Sequence, residues 1–105
     1  MFELQADQFG LINYAFTDHD GVTPADVTSI DVTSSNPEFL EVVAEPKTEV
    51  GIYPYRLNHK GIGVGTLDMF AEAWVDKPPF TDQEAFSTIP NIAEGFSKSI
   101  VINEL

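Results

Sequence analysis

The chain has no cysteine, and its five basic residues face seventeen acidic ones, a formal net charge of −12 over 105 residues. Without cysteine no disulfide can staple the fold, which excludes the small disulfide-framework class and permits a reducing compartment. The shortage of bases argues against nucleic acid as a partner, because a surface of this sign repels phosphate backbones. It argues equally against an anionic lipid surface. Long apolar runs are missing as well. The opening Met1-Phe2-Glu3-Leu4-Gln5 has no basic segment and no hydrophobic stretch, so it reads as neither a signal peptide nor a membrane span. On that reading the protein is expected to be made and kept in the cytoplasm, or assembled there into something larger. A domain belonging to a longer chain is the alternative.

The chemistry-bearing motifs are also thin. No serine sits in a Gly-x-Ser-x-Gly elbow, and there is no thiol to act as a nucleophile. Carboxylate pairs such as Asp68 and Glu72 arise by chance in so acidic a chain. Gly61-x-Gly63-x-Gly65 lacks the dinucleotide spacing and precedes a predicted strand rather than a helix. Asp18-x-Asp20-Gly21 starts like a calcium loop but has no later ligands, and Asp and Gly are ordinary turn residues. His19 and His59, the only histidines, are too few for a zinc site without carboxylate help. No catalytic residue, metal or cofactor is therefore expected, and the chain is not expected to be an enzyme. Trp74 with Tyr53 and Tyr55 could form an aromatic platform for a carbohydrate, although core packing is the commoner fate of such residues.

What remains is β patterning. A hydrophobic fraction of 43% suits one globular domain over residues 1–105. Period-two alternation between turn residues predicts strands at 2–6, 11–17, 27–34, 39–44, 50–58, 67–75 and 96–105. Pro54 lacks a ladder donor and places its strand at an edge or a bulge. The three glycines at 61, 63 and 65 point to a bulge or a close backbone approach. Residues 76–95, with Pro78, Pro79 and Pro90, read as a long inserted loop with a short helical turn at 81–86, Thr81 capping it and Glu84 three residues on. Its apolar Phe80, Phe86, Ile89 and Ile92 require it to fold back on its own sandwich or to reach a neighbouring subunit. Together with Trp74, these are the candidate partner-binding residues. The expected fold is all-β, a sandwich of about seven short antiparallel strands with a long loop before the last.

Three stretches carry a family resemblance: Thr17-Asp18-His19-Asp20-Gly21, then Ile30-Asp31-Val32-Thr33-Ser34-Ser35-Asn36-Pro37-Glu38-Phe39-Leu40-Glu41-Val42, then residues 61–66 leading into an alternating strand. The strand, Ser-Ser-Asn-Pro corner and Val-rich strand resemble bacterial immunoglobulin-like domains of the group 2 type. The spread Gly-Ile-Gly-Val-Gly-Thr-Leu element and residues 76–95 depart from that family's pattern. The resemblance implies an immunoglobulin-like sandwich without catalytic residues, of the kind that serves as spacer, adhesive module or phage virion part. Two roles follow as expectations. One is a bacteriophage virion component, a capsid decoration or tail-associated protein, bound to other virion proteins or to copies of itself. The other is a carbohydrate- or protein-binding module of a bacterial surface protein.

Overall fold

The computed structural model describes residues 1–73, 77–91, 93 and 95–105. Among them there is no helix. Seven strands run in chain order: β1 (Phe2–Gln5), β2 (Phe9–Ala15), β3 (Ser29–Ser34), β4 (Leu40–Ala44), β5 (Ile52–His59), β6 (Gly63–Glu72) and β7 (Phe80–Ile89). They form a four-stranded sheet ordered β1-β7-β6-β3 and a three-stranded sheet ordered β2-β5-β4. All neighbours are antiparallel except β1 and β7, which pair in parallel with Phe2 opposite Phe86. That parallel pair corrects the expectation of a wholly antiparallel sandwich.

The sheets pack face to face because each strand sends alternate side chains inward. Leu4, Leu40, Leu57, Leu67 and Phe86, drawn from five strands of both sheets, form one buried cluster. Tyr14, Tyr55, Met69 and Ala71 form a second one beside it. The small residues of β6 make the first cluster possible. A Cβ on Gly63 would lie 2.4 Å from the Phe39 ring, and one on Gly65 would lie 2.7 Å from the Phe86 ring. Gly63 and Gly65 therefore serve close packing inside a regular strand, and Gly61 lies just before it.

The corner between β3 and β4 is held from both sides. Ser35 donates its N–H to the Thr66 carbonyl (2.9 Å) and accepts the Thr66 N–H on Oγ (2.8 Å). The Asn36 amide donates to the Val64 carbonyl at 2.7 Å. The Asn36 carbonyl accepts from Phe39 and Leu40. The corner thus ties the crossing from one sheet to the other onto β6.

Three expectations are corrected. Pro54 lies in β5, the central strand of its sheet, opposite Asn13. Its carbonyl accepts the Glu45 N–H at 3.0 Å, so its missing donor also faces the β4 side. β4 ends at Ala44, so the proline falls at the end of that ladder, and the donor it lacks costs at most the last bond, to the Glu45 carbonyl. Residues 76–95 are not a loop, because ten of them are β7, and the helical turn predicted at 81–86 is strand. Residues 96–105, predicted as the final strand, join neither sheet and lie exposed. The radius of gyration is 20.2 Å, against about 13 Å for a compact chain of this length. The excess comes from this extended arm. The predicted strand at 67–75 holds as far as Glu72 in β6; Trp74 and Val75 lie outside the described residues.

Candidate interaction surfaces

The described members of the expected partner-binding set, Phe80, Phe86 and Ile89, do not form one patch. Phe86 is fully buried, packed against Phe2 with ring centroids 6.1 Å apart, so its place in a docking surface is corrected to a place in the core. Phe80 is half exposed and packs on Phe16 at 5.4 Å. Ile89 is half-buried, and its carbonyl lies 3.0 Å from Nε2 of His59. Trp74 and Ile92 lie outside the described residues. Two residues of the aromatic platform considered for a carbohydrate face inward. Tyr55 is buried edge-on against Tyr14, and the Tyr53 hydroxyl accepts the Val27 N–H at 3.0 Å.

Phe16 and Phe80 instead line a cleft of about 650 Å³ at one end of the sandwich, with Asp26, Val27, Thr28 and Lys77. Its floor is built by local hydrogen bonds. Asp26 accepts the Gly51 N–H at 2.7 Å and the Lys47 ammonium at 2.9 Å. These bonds, the Gly51 one foremost, hold its carboxyl below the usual range. Gly51 has φ +76°, and a Cβ there would meet the Phe16 carbonyl at 2.7 Å, so the turn admits glycine alone. Next to the cleft, Asp20 accepts the N–H groups of Val22 and Thr23, each at 2.8 Å, and the Thr23 hydroxyl. The Thr23 hydroxyl leads in lowering the Asp20 carboxyl's pKa. Asp20 is committed to its turn and not aimed outward at a cation. Among the described residues no three of His, Asp and Glu converge as a metal site would need.

The two sheets separate the chemistry more sharply than the cleft does. The four strands of the larger sheet hold Glu3, Asp31, Asp68, Glu72, Asp82 and Glu84 and no basic residue. A shallow depression of about 570 Å³ on that sheet is lined by Asp31, Asp68, Asp82, Gln83 and threonines, with Phe70 half exposed. Gln83 donates to Asp68 at 2.9 Å and Thr66 donates to it at 3.2 Å. The three strands of the smaller sheet carry only Glu41 and Arg56 as fixed charges. Phe9, Leu11 and Val43 are exposed there. The Arg56 guanidinium lies 3.9 Å from the Phe9 ring centroid and donates to Asn58, which in turn donates to Glu41.

This division was hidden from sequence reasoning, which had no strand assignment for residues 80–89 and so could not sort the charges by sheet. Among the described residues the buried Tyr14 hydroxyl has no hydrogen-bond partner, and its pKa is pushed up to about 12, by burial first and by Asp82 next. Set against known proteins, the chain matches no family model, no curated protein and no solved structure.

Proposed function

We propose that this chain is a non-enzymatic interaction domain of immunoglobulin-like build, a structural component of a larger assembly that docks through its three-stranded sheet. The setting proposed is a bacteriophage particle, with the domain as capsid decoration or tail-associated protein, as the family resemblance implies. The observation that carries docking is the chemical split between faces. The outer side of one sheet bears Glu3, Asp31, Asp68 and Glu72 and no base, while that of the other bears exposed Phe9, Leu11 and Val43 around a stacked arginine. Apolar patches with arginine are what protein interfaces favour, and a face with four carboxylates and no base, though it also exposes Val64 and Phe70, suits contact with solvent. The immunoglobulin-like build draws support from the strand order. A three-stranded β2-β5-β4 sheet over a β7-β6-β3 sheet follows the immunoglobulin pattern, with β1 paired in parallel to β7.

The test is co-sedimentation of the purified protein with tailed-phage capsids and with separated tails, using wild type and the double variant Phe9→Ser with Val43→Asp. Binding to one particle class that the double variant loses, while its far-UV spectrum stays unchanged, is the expected result. Particles that never retain the wild type overturn the virion setting. Retention that is indifferent to both substitutions overturns the assignment of the face.

A further inference from the structure

We infer that residues 96–105 of one copy add as a strand to the free edge of β2 in a second copy, so that the chain self-assembles by strand donation. Donor and acceptor are both present on the one chain. The donor is Phe96-Ser97-Lys98-Ser99-Ile100-Val101-Ile102-Asn103-Glu104-Leu105, which has strong β-forming composition yet joins neither sheet. Phe96, Ile100, Val101 and Ile102 are 72–95% exposed. Side chains this apolar gain nothing in water and gain from burial against another surface.

The acceptor is identified by comparing the sheet edges. Edge strands are ordinarily protected from foreign strands by shortness, charge or proline. β1 has four residues and Glu3; β3 carries Asp31; β4 has five residues and Glu41, with Pro37 and Pro46 close outside its ends. β2 has seven residues, Phe-Gly-Leu-Ile-Asn-Tyr-Ala, without a charge or a proline. Among the described residues it pairs only with β5.

Ladder geometry shows which of its groups are free. In an antiparallel pair the backbone groups of successive residues alternate between the partner and the other side. The Pro54 carbonyl points to β4, where it accepts from Glu45, so its opposite number Asn13 points away from β5. By the same alternation the N–H and C=O groups of Phe9, Leu11 and Ala15 face outward too, and no described group pairs with them. The ten arm residues span about 33 Å when extended, more than the roughly 23 Å of a seven-residue strand. Charge sets no local barrier to this contact: Lys98 and Glu104 offset one another and β2 carries no charge, so arm and edge meet without like charges opposed, while the two chains, each of net charge −12, repel as wholes. Reciprocal donation closes a two-fold dimer, and one-way donation gives a ring or filament.

The proposal is independent of the phage setting, because its test uses the purified 105-residue chain alone. Sedimentation velocity across a concentration series is combined with hydrogen exchange read by mass spectrometry. The expected result is concentration-dependent association in which amides of residues 96–105 and 9–15 gain protection together. Ile100→Pro in the arm and Leu11→Pro at the edge, each removing one donor from the proposed ladder, are each expected to weaken association at least tenfold. Asp31→Lys on the β3 edge leaves it unchanged. Should Leu11→Pro fail to fold, Ile100→Pro and the exchange pattern still decide. A chain that stays monomeric at every concentration overturns the proposal. So does association indifferent to Ile100→Pro, or arm protection that does not depend on concentration and thus arises within one chain.

Discussion

Tyr14 shows how one side chain can be both core and liability. Its ring packs edge-on against Tyr55, while its hydroxyl is buried without a partner among the described residues. A buried unsatisfied donor costs about 1–3 kcal/mol, so Tyr14→Phe is expected to stabilise the protein, by about 1 kcal/mol, in urea unfolding at pH 7. The same group fixes an alkaline dependence. The folded hydroxyl holds its proton to about pH 12 against 10.0 for the free side chain. Between those values the folded chain binds more protons than the unfolded one, so stability falls as pH rises from 10 to 12. Tyr55 is shifted in the same direction, mainly by burial. Tyr14→Phe should therefore flatten the decline without abolishing it, and an equally steep fall in the variant would refute the assignment to Tyr14. Phe86 and Phe80 give the converse lesson. Both were apolar residues of one supposed loop, yet one is sealed in the core and the other stands at the rim of a cleft.

Among the elements, the β3–β4 corner matters most to how the two sheets are joined. Asn36 links it to the Val64 carbonyl in β6, and Pro37 keeps the preceding residue out of helical conformation. Asn36→Ala is expected to cost about 1 kcal/mol, the usual net value of one such bond. It should lower the urea midpoint with an unchanged m-value; an unshifted midpoint would mean that solvent replaces the amide freely. The corner and most strands were legible because turn residues and alternation mark them locally. β7 was not, for a physical reason. Its inward positions are Phe80, Asp82, Glu84, Phe86 and Thr88, judged by their opposite numbers Ala71, Met69, Leu67, Gly65 and Gly63. Two carboxylates on the inward side erase the alternation that identifies a strand. They are tolerated because Asp82 is exposed and Glu84 is only half covered, with the Met1 ammonium 3.4 Å away. The arm erred the opposite way, since its composition is strand-like while a strand also needs an edge to join.

For the whole molecule the dominant long-range term is charge. Seventeen acids against five bases repel one another more strongly in the compact state than in the unfolded chain. Raising sodium chloride from about 10 mM to 150 mM shortens the screening length from about 30 Å to about 8 Å. The melting temperature is therefore expected to rise over that range, and a flat or falling value would show that specific ion pairs outweigh the general repulsion. Few pairs exist to do so: among the described residues the Lys/Arg–carboxylate contacts are Lys47 with Asp26 and Lys60 with Glu41, both on the surface. Screening would also ease the approach of a second copy. Thermal and sedimentation measurements are best made over the same salt series.

The class of fold, six of the strands and the corner between β3 and β4 were determined by the sequence alone, because alternation, turn residues and proline act over a few neighbours. Tertiary structure alone decided how those strands are ordered in two sheets, that Pro54 is harmless at the centre of one, and that residues 80–89 complete the other. It also decided that every base within the strands falls on one sheet and six acids on the other. These outcomes depend on which strand lies beside which, and pairing between distant segments leaves no mark in the order of residues along either one.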